Sequence, residues 1–294
     1  MKKRDLPVYS IATLKESAVA QKDFVADGFA HYLAEHTNLR FPHKHSFYHL
    51  VYFSKGSGSH SIDFVNFPVK AGQVYFMIPG QVHSWDFKSG PDGYIVNFSE
   101  DYLTSLLADP RYLDQFAFLS GNAPEQVINI PLDGRSAIEQ LLKTIISEGN
   151  SSAPLKDDFA RAALLQLLIA ISRFTTGNEK KLAANYSGVL LRTFQKLIEL
   201  HYKEKRLTKD YAAMLYITPN HLNALTKDVS GRSAGELIRD RVLLEAKRML
   251  INANMTITEI AQELDFMDNS YFSKFFRKYV GVSPEVFRKQ TIKN

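Results

Sequence analysis

Ile257-Thr258-Glu259-Ile260-Ala261-Gln262-Glu263-Leu264-Asp265-Phe266, followed by Ser270-Tyr271-Phe272-Ser273-Lys274 and Gly281-Val282-Ser283-Pro284, decides the fold of the C-terminal third. Its pattern occurs once more upstream. Ala212, Leu215 and Ile217 recur 49 residues later as Ala261, Leu264 and Phe266, while Leu222, Gly231 and Ser233 recur 50 residues later as Phe272, Gly281 and Ser283. One inserted residue in the turn accounts for the change of offset. Each copy reads as a short helix, a tight turn and a second helix closed by glycine, the helix-turn-helix plan. The capping chemistry agrees. Thr218 precedes Pro219, a proline at the first helical position, where its missing N–H costs nothing. Thr256-Ile257-Thr258-Glu259 and Ser233-Ala234-Gly235-Glu236 have capping-box spacing, Asp268 or Asn269 can cap the next helix, and Ser283-Pro284 opens a last one.

The helix that starts near Asn269 is expected to turn Phe272, Phe275, Phe276 and Tyr279 inward, at i, i+3, i+4 and i+7. Asn269, Ser270, Ser273, Lys274, Arg277 and Lys278 then face outward. Short polar groups near a helix start suit base edges, and cations further along suit phosphates.

Charge distribution points the same way. The 294 residues carry a net charge of +5, and it is not evenly spread. From Asn185 onward there are 18 basic and 12 acidic residues, against 18 and 19 before it. A polyanion partner for the C-terminal part follows from that asymmetry. Cysteine is absent, which excludes disulfides, thiolate metal sites and cysteine nucleophiles. No apolar run reaches membrane-spanning length, and Met1–Tyr9 lacks the apolar core of a signal peptide, so a soluble, cytoplasmic protein is expected.

Upstream the texture changes. Residues up to about 130 are rich in Phe, Tyr, Val and His and punctuated by Gly and Pro, as short strands and turns would be. Ser136 to Ser147 carries Ile138, Leu141, Leu142, Ile145 and Ile146 at helical spacing, and a second helix is expected from Asp157 to Phe174. That second helix is apolar almost all round, so it is either deeply buried or shared with a second copy; Leu164 and Leu168 are assigned to dimerisation. The polar run from Thr175 to Lys181 reads as a linker. The expected organisation is therefore a sensor domain over 1–134, a helical dimerisation segment and linker over 135–184, and a DNA-binding domain over 185–294.

The run from Ile257 to Phe266, with Ser270–Lys274 and Gly281–Pro284, closely resembles the signature of AraC/XylS-family transcription regulators, and the resemblance covers about residues 186–290. It implies seven helices, with two helix-turn-helix units that present recognition helices to successive major grooves, roughly 34 Å apart. It also implies base-reading roles for Asn220, Asn223 and Ala224 in the first unit, and for Asn269, Ser270, Ser273 and Lys274 in the second. Lys227, Arg232, Arg277 and Lys278 are the phosphate candidates. Two positions depart from the family. Asp265 stands where glycine is usual in the second turn, and aspartate tolerates the left-handed backbone better than most residues. Ala224 stands where a long polar side chain is common, and offers only a methyl group.

Phe41-Pro42-His43-Lys44-His45-Ser46-Phe47-Tyr48-His49, then Gly56, resembles a first cupin motif with His49 in the place of its glutamate. Gly72 and Pro79-Gly80-Gln81-Val82-His83 resemble the second motif. Strand alternation puts His43, His45, Phe47 and His49 on one face, which a small barrel turns inward. The expected fold is thus two-domain α+β: a cupin-like β-barrel with helices, then an all-α double helix-turn-helix. Such histidines are capable of holding zinc, iron or nickel. The carboxylate is missing, however, and the family implies sensing without a metal. The expectation is therefore a pocket for an organic effector among His43, His45, His49, His83, Trp85 and Tyr94, with no metal, no cofactor and no catalysis. The expected partners are duplex DNA, a small-molecule effector, a second copy of the chain and RNA polymerase. Two alternatives stand beside this reading: a metal-dependent cupin enzyme fused to a DNA-binding tail, and a protein whose basic end binds RNA or another protein.

Overall fold

The computed structural model describes residues 6–14, 23–36, 39, 41–175, 186–252 and 254–292. Most of the polar run read as a linker lies outside the described residues, as does the extreme N-terminus. The chain divides into two compact units, one spanning Pro7–Glu179 and the other containing Lys180–Asn294.

Among the described residues the first unit is an eight-stranded sheet rolled into a barrel, with helices. Its strands are β1 (Val8–Tyr9), β2 (Phe24–Gly28), β3 (His43–His45), β4 (Tyr48–Ile62), β5 (Val65–Val69), β6 (Gln73–Met77), β7 (Val82–Phe98) and β8 (Val127–Asn129). Strands run β1-β3-β7-β4-β6-β8, with β2 added on β7 and β5 on β4. The long strands β4 and β7 carry the barrel. The first half of β4 pairs with β6 and with the end of β7, and its second half pairs with β5 and with the start of β7. Between the halves the β4–β7 register shifts three times, from Phe53 to Gly58. Glycine is required at this bend. Gly58 and Gly93 have φ of +136° and +147°, and a Cβ on either would run into a carbonyl of the facing strand.

The period of two along each strand separates two cores. Inward are Phe47, Val51, Phe53, Tyr75, Met77, Trp85 and Ile95. Outward are Leu50, Tyr52, Val74, Phe76, Val96 and Phe98, covered by two helices. In chain order the helices of this unit are α1 (Ile11–Leu14), α2 (Phe29–Glu35), α3 (Glu100–Thr104), α4 (Leu132–Gly149) and α5 (Lys156–Ser172). Helix α4 buries Ile138, Leu142 and Ile145, and α5 buries Ala160, Ala163, Leu164, Leu167, Leu168 and Ile171. The dimerisation role given to Leu164 and Leu168 therefore needs correction. Both are fully buried in their own unit, because α5 and α4 together roof the outer face of the sheet, and no surface of either is left for a partner. The exposed residues of α5 include Phe159, Ala162 and Gln166 instead.

The second unit has seven helices among the described residues: α6 (Tyr186–His201), α7 (Thr208–Met214), α8 (Pro219–Ser230), α9 (Ala234–Ile251), α10 (Ile257–Glu263), α11 (Asn269–Val280) and α12 (Pro284–Ile292). Pairs α7–α8 and α10–α11 are the two helix-turn-helix units. The caps are those the sequence requires. Thr218 accepts from the His221 amide, both capping boxes close, and of Asp268 and Asn269 it is Asp268 that caps α11. Gly231 and Gly281 end α8 and α11 in the left-handed conformation. Phe194, Tyr211, Leu222, Ile238, Ile260, Leu264, Phe272 and Phe276 meet in one core. Among the described residues no helix is long and apolar enough to cross a membrane.

Candidate functional site

Five histidines meet inside the barrel. His43 and His45 come from β3, His49 and His60 from β4 and His83 from β7, and each is at most 2% exposed. Register brings them together: His43 lies opposite His83, and His83 opposite Ile62, two residues beyond His60. His43 Nε2 and His45 Nε2 are 3.0 Å apart, and His60 Nε2 is 3.1 Å from His83 Nδ1. Trp85 stacks on His60 with ring centroids 3.4 Å apart.

The hydrogen bonds set the tautomers. His43 Nδ1–H donates to the Phe41 carbonyl at 2.7 Å, and His49 Nδ1–H donates to Asn97 Oδ1 at 2.5 Å. Asn97 is held in turn, since its Nδ2 donates to the Tyr32 hydroxyl at 3.2 Å. Four buried ring nitrogens are left without a hydrogen-bond partner: His45 Nδ1, His49 Nε2, His60 Nδ1 and His83 Nε2. Burial lowers the pKa of His43 to about 4 and that of His49 to about 3. Burial also holds His45, His60 and His83 well below the ordinary imidazole value. All five are therefore neutral at physiological pH; within each of the pairs His43–His45 and His60–His83 one ring accepts from the other, and the remaining lone pairs are open to an electrophile or a donor.

His43, His45, His49, His83 and Trp85 thus share the interior, as the alternation implied. Tyr94 does not. It faces the opposite side of β7, over Tyr52 with ring centroids 6.3 Å apart and against the helix-covered core, so it is no part of an interior pocket. His60 joins the cluster unforeseen. The three register shifts between Phe53 and Gly58 invert the parity of β4, so that odd-numbered residues face inward before the bend and even-numbered ones after it. At one end of the barrel, Trp85 to Pro91 line an open groove of about 400 Å³.

On α8 the exposed residues are Pro219, Asn220, His221, Ala224, Lys227, Asp228 and Ser230. Asn223 lies off this face. It is half-buried, and its Oδ1 accepts from the Ala234 amide at 3.1 Å, so it braces the start of α9. That engagement occupies the carboxamide oxygen that a bidentate adenine contact would use. His221, which the sequence reading passed over, stands on the exposed face. Arg232 is paired with Asp240, which offsets the charge expected to meet a phosphate.

On α11 Ser270, Lys274, Arg277 and Lys278 are exposed, while Phe272 and Phe276 are fully buried beneath them. Asn269 Nδ2 donates to Thr258 Oγ1 and its Oδ1 accepts from Ser273 Oγ, both at 3.3 Å. Tyr279, expected inward, is 42% exposed in the last turn of α11, with the Arg239 guanidinium of α9 over its ring. Asp265 does adopt the left-handed conformation, at φ +54°, so the turn survives without its glycine.

The comparisons with known proteins bear on both units. The AraC-like ligand binding domain matches residues 28–169, and a helix-turn-helix domain matches residues 211–290. The chain belongs to the AraC/XylS family of transcription regulators. It is a sequence-specific DNA-binding regulator controlled by a small-molecule effector. Among proteins similar to this AraC/XylS regulator is the HTH-type transcriptional regulator YfiF of Bacillus subtilis, 24% identical over 88% of this chain and 83% of that one. The transcriptional activator RhaR of Pectobacterium carotovorum is likewise 24% identical, over 87% and 88%. Among solved structures, fatty-acid-bound ToxT of Vibrio cholerae aligns over 92% of this chain and 97% of its own, with 13% identity and a TM-score of 0.44.

The first recognition turn of this AraC/XylS regulator holds one strained residue. Tyr216 has φ +56° with its side chain 95% exposed. A left-handed backbone costs a non-glycine residue about 1–2 kcal/mol, part of which glycine's extra unfolded-state entropy offsets. Tyr216→Gly is expected to stabilise the helix-turn-helix unit by about 1 kcal/mol, a rise of a few degrees in its melting temperature. A melt that is unchanged or lower would show that the tyrosine ring supports the turn.

Proposed function

We propose that this regulator reads duplex DNA through α8 and α11, acting as a homodimer in the cytoplasm without catalysing a reaction. The effector is seated against the histidine- and aromatic-lined interior of the barrel. The observation that carries the DNA reading is α11: a helix anchored by Phe272 and Phe276 that presents Ser270, Lys274, Arg277 and Lys278 on its exposed side. Lys274 is one turn inside the helix, within reach of guanine O6 and N7, while Arg277 and Lys278 are one turn further and meet phosphates. Asn220, His221 and Ala224 are the corresponding readers on α8, with Lys227 at a phosphate.

Lys274→Ala is expected to cost about 1–3 kcal/mol of operator binding and to relax preference at one or two base pairs. Arg277→Ala and Lys278→Ala weaken all sequences alike, and each lowers the salt slope by about one unit. Asn223→Ala leaves base preference unchanged and instead lowers thermal stability. Binding-site selection with these variants tests the roles. Unchanged preference in Lys274→Ala, or altered preference in Asn223→Ala, would overturn them. Graded-salt gel shifts against RNA test duplex specificity in the same experiment.

A further inference from the structure

We propose that His43, His45 and His83 hold one divalent transition-metal ion of the zinc class inside the sensor barrel, with His49 as the adjacent imidazole. Each of the three can present a ring nitrogen so that all lie within 4.8 Å of one another, and all three side chains are buried. The 3.0 Å between His43 Nε2 and His45 Nε2 compares with the roughly 3.3 Å that separates two nitrogens on one tetrahedral zinc, given Zn–N distances of about 2.0–2.1 Å.

Behind His43, His49 and His83 the hydrogen bonds are those of metal-bound imidazoles, whereas Nδ1 of His45 has no acceptor. A ligating histidine donates its other ring N–H to an acceptor, which fixes the tautomer and aims the lone pair at the ion. Here Nδ1 of His43 donates to the Phe41 carbonyl, Nδ1 of His49 to Asn97, and Nδ1 of His83 faces His60 Nε2. In each case Nε2 is the remaining nitrogen, and those of His49 and His83 are buried without a partner. The Nε2 acceptors of His49 and His83 are thus buried without a hydrogen bond, a costly arrangement that a bound cation relieves. Three or four imidazoles with no carboxylate favour zinc, nickel, cobalt or copper over magnesium or calcium. The site stands independently of what the helix-turn-helix units bind.

The test uses the full chain, stripped with a chelator and dialysed against micromolar Zn²⁺, with metal content and thermal melts as readouts. The expected result is one equivalent per chain. The melting temperature of the sensor unit should rise by about 5–10 °C when free zinc exceeds the dissociation constant a hundredfold. His45→Gln and His83→Gln are expected to weaken binding by at least about a hundredfold. His31→Gln, in the exposed group Asp27, His31 and Glu35, should leave the stoichiometry unchanged. Uptake well below one equivalent by folded wild type, uptake that survives in both interior variants, or uptake lost in His31→Gln would overturn the proposal. If the interior variants do not fold, Co²⁺ added to the stripped wild type decides. Intense visible bands of low-coordinate cobalt support the site, and the faint spectrum of hydrated cobalt overturns it.

Discussion

Lowering the pH of chelator-treated protein from 7 to 5 is expected to unfold the sensor unit. The folded barrel holds His43 with a pKa of about 4 and His49 of about 3, against about 6.5 in the unfolded chain. Below pH 6.5 the unfolded chain therefore takes up protons that the folded chain refuses. Stability is fully present above that pH and is lost progressively as pH falls towards 4 and 3. At pH 5 these two groups together remove about 4 kcal/mol, at roughly 1.4 kcal/mol per pKa unit each. His45, His60 and His83, lowered by the same burial, act in the same direction. That is a large part of the stability of a typical folded domain, roughly 5–15 kcal/mol. The single tryptophan of the chain, Trp85, stacks on His60 and reports the transition directly by fluorescence. Emission that stays constant down to pH 4 would show that the folded interior accepts these protons.

Leu164→Lys is expected to unfold the same unit at neutral pH. Leu164 is fully buried between α4, α5 and the outer face of the sheet. The substitution removes a packed apolar side chain, worth about 2–5 kcal/mol, and leaves an ammonium group without a partner in a dry core. A total of about 5 kcal/mol or more is enough to abolish a domain of this size. Leu168→Lys acts in the same way. Phe159→Lys, at a side chain 56% exposed, should leave the unit folded. Circular dichroism and limited proteolysis distinguish the two outcomes, and sedimentation of Phe159→Lys then reports whether α5 contributes to self-association. A folded Leu164→Lys protein would place that residue on a surface after all.

The helix-turn-helix unit was legible almost residue by residue, because its signals are local. A cap and its amide are three residues apart, as at Thr218, Ser233, Thr256 and Asp268, and a closing glycine is adjacent to the helix that it ends. The inward face of α11 followed from the helical period, except at its last turn, where Tyr279 shows that period alone does not say where a neighbour stops. The role of Asn223 was not legible. Its carboxamide is engaged by an amide 11 residues away, and only the packing of α8 on α9 brings the two together.

In the barrel the alternation from His43 to His49 predicted an inward histidine face, and all of it is buried. The sequence by itself determined these local matters: the repeat, the caps, the left-handed turn at Asp265, the division of charge and the strand parity on either side of a break. Only the tertiary structure decided which break inverts that parity, and so that His60 faces His83. Tyr94 faces away because β7 keeps one parity, with odd-numbered residues inward from His83 to Ile95. Only it decided that α5 spends Leu164 and Leu168 on its own core. The reason is common to both. Bulges, cross-strand register and the face a helix buries are set by residues far apart in the chain, and their energies arise only when those residues meet.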